Sequence, residues 1–265
     1  MTTIAFLGTG LMGTGFIQRA RANGLTVRAW NRSAAKAQAL AASDAAGGVT
    51  ACATVAQAVQ GAERIHLSLS DDASVDAVLE PLAGVLPAGA WVVDHTTTAV
   101  RPNAERVARW DARGVRFVHA PVFMAPANCA EGTGWMLISG DPARHQALQG
   151  ALQAMTGKVI YLGPQPERAA AFKLFGNLTL LGILGVLGDV GRLAAAVGID
   201  TKDAFSLFEH FNPGQTLPQR AKRISAGQYT PPSFEMSMAR KDLRLMVEEA
   251  ARGGQELAMV PALAK

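Results

Sequence analysis

The sequence predicts an α/β domain, doubly wound around a mainly parallel sheet, followed by a long helix and an all-helical region. Three observations predict it. Short β-branched runs alternate with Ala-rich helical runs as far as Leu162, the pattern of a parallel sheet with helices on both faces. A glycine-rich turn, Gly8-x-Gly10-x-x-Gly13, follows the first of those runs. Beyond Gly163-Pro164-Gln165-Pro166 there is no strand pattern, only helical runs.

In chain order, TIAFL (3–7), LTVRAW (25–30), RIHLSL (64–69), AWVVDH (90–95), VRFVHA (115–120), WMLIS (135–139) and KVIYL (158–162) read as strands. LMGTGFIQRARAN, SAAKAQALAAS and VRPNAERVARWDARG read as helices between them. Asn23-Gly24 stops the first helix, with glycine in left-handed geometry. Asp71-Asp72 caps the helix after RIHLSL rather than binding a metal. The prolines at 164 and 166 mark a domain boundary, giving a first domain over 1–163 and a helical one over 164–265. Helical runs there cover 167–197, 201–211, 215–226 and 233–252. The first would be about 45 Å long at 1.5 Å per residue. Its segment 174–188, LFGNLTLLGILGVLG, contains Asn177 and the glycines Gly176, Gly182, Gly185 and Gly188. It reads as a buried core helix rather than a membrane span.

Hydrophobic residues make up 49% of the 265 and charged ones 17%, enough for a substantial core and against disorder. The net charge is +4 without a dense Lys/Arg run, which suits an anionic small ligand and argues against nucleic acid. Two cysteines, Cys52 and Cys129, stand without metal-ligand spacing. They suit a reducing cytosol and predict no metal site. The start, MTTIAFLGTG, lacks a basic region and a cleavage site, so a cytoplasmic protein is expected.

The glycine turn predicts dinucleotide binding. Gly8 permits the tight turn, Gly10 lets backbone approach a pyrophosphate, and Gly13 lets helix pack on strand. The helix from Leu11 then presents free N–H groups and its positive dipole end to phosphates. The whole turn, Gly8-Thr9-Gly10-Leu11-Met12-Gly13, is a candidate for cofactor contact. At the end of the second strand a carboxylate would favour the ribose 2′-hydroxyl of NAD. This chain has Asn31-Arg32-Ser33 and then Lys36. Arg32 can stack on adenine and pair with a 2′-phosphate, and Ser33 can donate a hydrogen bond. NADP(H) is therefore expected over NAD(H).

In RAAAFKLFGNL, Lys173 and Asn177 stand four apart on one helix face in apolar surroundings. An isolated buried ammonium is costly and lysines usually reach for solvent, so spacing alone leaves a structural role open.

At these residues the chain resembles the β-hydroxyacid dehydrogenase family, within the 6-phosphogluconate dehydrogenase superfamily, which includes 3-hydroxyisobutyrate, tartronate-semialdehyde and glyoxylate/succinic-semialdehyde reductases. The motifs run in order along the chain: GTGLMG (8–13), NRSAAK (31–36), DHTTT (94–98), HAPVFMA (119–125), KLFGN (173–177) and KDLRLM (241–246). The resemblance implies a Rossmann domain joined by a long helix to an all-helical domain for substrate and dimerisation. It implies Lys173 exchanging a proton with the substrate oxygen while hydride moves to or from a nicotinamide. It implies Asn177 orienting the substrate, Lys241 contacting the cofactor with Asp242 beside the substrate, and Leu69-Ser70-Asp71 and Thr96-Thr97 bordering the cofactor. A homodimer or higher homo-oligomer acting on a small molecule, away from membranes, is expected.

Three departures stand out. The family's Ser-Gly-Gly, which grips a substrate carboxylate, is Phe123-Met124-Ala125 here. The glycine-rich approach to the lysine is ERAAAFK, and the chain ends at VPALAK, short of a further family helix. His95 and His119 fall at strand ends and read as structural hydrogen-bonders. The leading expectation is an NADPH-dependent reductase of 3-hydroxyisobutyrate dehydrogenase type. Imine reduction is an alternative that the Phe123-Met124 wall leaves open and Lys173 argues against. A non-catalytic NADP(H)-binding protein is the other alternative.

Overall fold

The computed structural model describes residues 1–232 and 234–265. The chain folds as two compact units, Met1–Gly176 and Asn177–Lys265.

In the first unit the elements run β1 (Thr3–Leu7), α1 (Leu11–Ala22), β2 (Thr26–Trp30), α2 (Ala34–Ser43), β3 (Val49–Ala51), α3 (Val55–Val59), β4 (Arg64–Leu67), α4 (Asp72–Leu79), β5 (Trp91–Asp94), α5 (Val100–Asp111) and β6 (Arg116–His119). There follow β7 (Val122–Phe123), α6 (Pro126–Glu131), β8 (Trp135–Ile138), α7 (Pro142–Gln153) and β9 (Lys158–Tyr161). Six strands pair in the order β3-β2-β1-β4-β5-β6, every pair parallel. The order reverses direction between β1 and β4, where doubly wound sheets bind ligands at the carboxyl ends of their strands.

Successive residues of β1 bury on opposite faces. Ile4 and Phe6 join a core with Phe16, Ile17, Val27 and Val118. Ala5 and Leu7 join another with Leu67, Val92, Trp110 and Phe117. A sheet covered on both faces needs apolar residues at consecutive positions, which is why its central strands read as unbroken apolar runs.

WMLIS and KVIYL form strands but stand in a second sheet, β7-β8-β9. There β7 runs antiparallel to β8, pairing Val122 with Met136 and Phe123 with Trp135. β9 runs parallel to β8. Gly24 ends α1 at φ 76°, the left-handed geometry that Asn23-Gly24 predicts.

α8 (Arg168–Ala196) crosses from the first unit into the second. The second unit continues with α9 (Thr201–Ser206), α10 (Leu217–Ser225), α11 (Met236–Arg252) and α12 (Val260–Leu263). The predicted helix over 233–252 begins at Ser233, which lies outside the described residues. Asp189 of α8 accepts from the N–H groups of Ala258, Met259 and Val260 at 2.7, 2.7 and 3.0 Å, capping the start of α12. Burial would raise its carboxyl, but those three N–H groups hold it below the usual range.

The reading of 174–188 as a buried core helix is corrected. Leu178 is 73% exposed, Leu181 66% and Leu184 62%. Among the described residues, α8 is the one helix long and apolar enough to cross a membrane by length and composition. The reason lies in the small second unit. Its buried cluster is Ala250, Leu257 and Val260, with Leu193 and Leu243 against it, so one chain offers the apolar stretch little to pack on.

Candidate active site

The glycine turn is built by steric necessity at two of its three glycines. Gly8 has φ +103°, and a Cβ there would lie 2.2 Å from the Ser68 carbonyl oxygen. A Cβ on Gly13 would lie 1.9 Å from the Gly8 oxygen and 3.2 Å from Phe6 Cε1. A Cβ on Gly10 would meet nothing within 4 Å, so that position faces open space. Gly10 is the N-cap of α1, and no side chain caps the helix. The N–H groups at its start are thus left for another acceptor.

Asn31 ties this turn to the end of β2. Its Oδ1 accepts from Thr9 N–H at 3.0 Å, and its Nδ2 donates to Ser33 O at 3.1 Å. Ser33 is the N-cap of α2, yet its hydroxyl makes no capping bond, which leaves it available to a ligand. Arg32 and Lys36 are exposed beside it. A cleft of about 480 Å³ gathers Gly8, Gly10, Leu11, Met12, Asn31, Arg32, Ser33, Lys36, Leu69 and Ser70. Trp30, Ser68, Ser74, Ala77 and Val78 complete it; the sequence does not single these out, since neutral residues at strand and helix ends carry no distinguishing pattern. Thr9 lines a neighbouring cavity with Gly10, Thr14 and Lys36. Asp71 is not among the cleft residues. Its carboxylate accepts from Ser74 N–H at 2.7 Å as the cap of α4, and stays below the usual range through Ser74 first and more weakly through the Arg32 charge.

A second cavity, about 230 Å³, brings Met12, Thr96, Thr97, Met124 and Lys173 together with Phe16, Ser68, Leu69, His95 and Val122. Lys173 is half-buried. Its Nζ donates to Val122 O at 2.7 Å and sits 4.5 Å from the centroid of the Phe123 ring. Burial lowers its pKa from the ordinary 10.5, because a partly desolvated ammonium favours losing its proton. One of three ammonium donors is taken by Val122, leaving two for the cavity.

The helix carrying Lys173 is anchored at its first turn. Ser139 Oγ donates to Pro166 O at 3.0 Å and accepts from Ala169 N–H at 2.9 Å. Asn103 Nδ2 donates to the same Pro166 oxygen at 3.2 Å. Thr96 Oγ1 accepts from Leu69 N–H at 3.0 Å, tying the β4 and β5 ends together.

The strand-end histidines hold backbone. His95 Nδ1 donates to Ala120 O at 2.8 Å, and its Nε2 accepts from His66 at 3.0 Å. His119 Nε2 donates to Thr96 O at 2.8 Å. Burial lowers both rings to about 4, so they are neutral at pH 7. Asp94 is buried and raised to about 6, burial outweighing its bonds from Thr96.

Ala125 precedes α6 with its N–H on Asn128 Oδ1 at 2.8 Å, and Met124 Sδ lies 3.7 Å from Cys129 Sγ. Asn177, Lys241 and Asp242 belong to the second unit. Asn177 stands one turn beyond Lys173 along α8, and Lys241 Nζ pairs with Asp242 Oδ1 at 2.9 Å. Among the described residues no His/Cys/Asp/Glu group is placed to hold a metal ion.

A parallel sheet in the order 3-2-1-4-5-6, a glycine turn open at its second glycine and an uncapped helix start define a dinucleotide-binding protein of the Rossmann class. Its family is that of the β-hydroxyacid dehydrogenases: the profile of the NAD binding domain of 6-phosphogluconate dehydrogenase matches residues 3–163, and the chain belongs to it. The chain is 29% identical over 252 residues to the cytokine-like nuclear factor N-PAC of Mus musculus, covering 92% of this chain and 43% of that protein. It thus spans less than half of that relative's length. It is 25% identical over 267 residues to glyoxylate/succinic semialdehyde reductase 1 of Arabidopsis thaliana, covering 98% of this chain and 89% of that one. Among solved structures, a reductive aminase from Aspergillus terreus in complex with NADPH and ethyl-5-oxohexanoate shares the fold at a TM-score of 0.87. Identity there is 21%, with 100% of this chain and 91% of that chain covered.

Proposed function

We propose that the protein is an NADPH-dependent reductase of carbonyl or β-hydroxyacid-type substrates, of the 3-hydroxyisobutyrate dehydrogenase type, with Lys173 as proton donor and acceptor. One observation carries the reading: a half-buried ammonium, held by the Val122 carbonyl, lines the same cavity as Met12, Thr96 and Thr97. The open position at Gly10 and the uncapped start of α1 fit a pyrophosphate. The free Ser33 hydroxyl and the exposed Arg32 and Lys36 fit a 2′-phosphate. Leu69, Ser70, Thr96 and Thr97 would border the cofactor, and Lys241 would contact it. When bound, the nicotinamide supplies hydride to the substrate or accepts it.

Lys173 stabilises negative charge growing on the substrate oxygen and then delivers its proton there. In the reverse direction the neutral amine removes that proton, which its lowered pKa favours. Asn177 orients the substrate, with Asp242 beside it. The apolar side chains of Phe123 and Met124 leave open a second reading, imine reduction, against which Lys173 argues. In a third reading the protein only binds NADP(H). A second copy of this chain is the proposed cover for the exposed apolar length of α8, in a cytoplasmic homodimer, as light scattering would test.

The deciding experiment is an NADPH-oxidation panel of semialdehydes, larger apolar ketoacids and cyclic imines, with Lys173→Ala as control. Lysine-dependent turnover of carbonyl compounds is expected. Turnover of imines alone favours the second reading, and tight NADPH binding without turnover favours the third.

A further inference from the structure

We infer that Phe123 and Gly176 form one specificity element, which narrows the proposed function to its carbonyl side by turning the Lys173 cavity toward apolar substrates and disfavouring a carboxylate. The inference rests on the reading of Lys173 as the proton donor. A Cβ on Gly176 would stand 2.2 Å from Phe123 Cζ and 2.5 Å from its Cε1, so the ring occupies the volume that any larger residue at 176 would need. The backbone beneath the ring is held from the opposite side. Phe123 pairs with Trp135 across the β7-β8 ladder, and a Cβ on Gly134 would lie 2.9 Å from the Phe123 carbonyl oxygen. The backbone beneath the ring is thus fixed, and Gly176 is the residue that admits the ring in its present rotamer.

The ring changes what Lys173 can bind. Its π face, negative at the centre, attracts the ammonium that lies 4.5 Å from the centroid and repels an anion beside it. Among the described residues lining the cavity Lys173 is the only cation, and Met12, Phe16, Leu69, Val122 and Met124 give it an apolar wall. His95 has no N–H to offer, since its proton goes to Ala120 O and its other nitrogen accepts from His66. Ser68, Thr96 and Thr97 bring hydroxyls to the same lining, but Lys173 is the one charge there that could neutralise a carboxylate, and pairing with it would draw the ammonium from the oxygen it must protonate. An alkyl group meets the Leu69 and Val122 side chains and the Met12 and Met124 thioethers without desolvating a charge.

The test compares two aldehydes of equal chain length, one ending in carboxylate and one in methyl, in the wild type, Phe123→Ala, Gly176→Ala and the double variant. Binding of the corresponding alcohols is measured by calorimetry on the same proteins, and thermal melting gives a readout independent of turnover. In the wild type kcat/KM should favour the methyl-ended aldehyde by about tenfold or more, and Phe123→Ala should shrink that ratio by a similar factor. Gly176→Ala should lower the melting temperature, and adding Phe123→Ala should restore much of that loss, because the collision is gone. Wild-type preference for the carboxylate, an unchanged ratio in Phe123→Ala, or additive melting shifts would each overturn the inference. Full turnover in Lys173→Ala would instead sink the catalytic reading, with the melting cycle still judging the ring and glycine.

Discussion

Gly10→Ala and Gly13→Ala add the same methyl group within one turn, and the geometry predicts opposite consequences. At Gly10 the new Cβ meets nothing within 4 Å, and φ −72°, ψ −171° suits alanine. Alanine caps a helix less well than glycine, by up to about 1 kcal/mol. Reduced freedom of the unfolded chain returns roughly 0.4–1 kcal/mol, so the melting temperature should move by no more than about 2 °C. The methyl instead enters the space where a phosphate would meet the α1 N–H groups. Losing one charge-assisted hydrogen bond costs about 1.5–3 kcal/mol, or roughly 10- to 150-fold in NADPH affinity. At Gly13 the Cβ would lie 1.9 Å from a backbone oxygen, that of Gly8, which cannot turn aside as a flexible side chain would. Overpacking of this kind costs about 1–3 kcal/mol or more, a fall of about 2–12 °C for a domain of this size. Thermal melting and NADPH fluorescence titration on both variants separate the two effects. Unchanged affinity in Gly10→Ala, or unchanged melting in Gly13→Ala, would refute the roles given to these glycines.

Arg32→Ala should weaken NADPH binding by roughly 10- to 100-fold, the scale of one charge-assisted contact, and weaken NADH much less, through lost adenine stacking alone; equal losses for both cofactors would remove Arg32 from 2′-phosphate recognition. Asp94→Asn tests the buried acid. Its folded pKa of about 6 exceeds the ordinary 3.8, so its stabilisation is present below that value and lost as pH rises through about 6. Relative to the variant, the wild type should lose on the order of 3 kcal/mol between pH 4 and 7; parallel urea-unfolding curves at the two pH values would contradict this. For Lys173, whose pKa burial holds below 10.5, kcat for reduction should fall with rising pH on a limb centred below that value, while oxidation rises over the same range. A limb centred at or above 10.5 would count against the partly desolvated ammonium.

The central strands were legible because both of their faces are buried, which writes continuous apolar runs into the chain. β3 and β7 were not, since a three-residue and a two-residue strand are too short for any period to register. β7 matters most, because the group that holds Lys173 is the Val122 carbonyl, a backbone atom with no signature in the side-chain sequence. Gly8 and Gly13 could be assigned because their demands are local. The meeting of Phe123 and Gly176 could not, although Phe123 stands where the family has Ser-Gly-Gly, since contact between a strand and a distant helix has no local code. The exposure of α8 escapes the sequence for a related reason: composition reports that a face is apolar, not whether the same chain covers it.

A backbone anchor for the lysine bears on how the substrate pocket could diverge. Lys173 takes its position from the Val122 carbonyl and from the first turn of α8, fixed by Ser139, Pro166 and Ala169. These contacts use atoms outside the side chains at 123, 124 and 125, and the Phe123 ring adds a cation–π contact to the same ammonium. The residues of that turn can therefore change from hydrogen-bonding to apolar while the ammonium keeps its place, provided the neighbouring helix yields volume. Gly176 supplies that volume, one turn from the lysine. In the proposed reading, proton transfer and substrate recognition would thus draw on different atoms of the same short strand, the carbonyl of Val122 for one and the ring of Phe123 for the other.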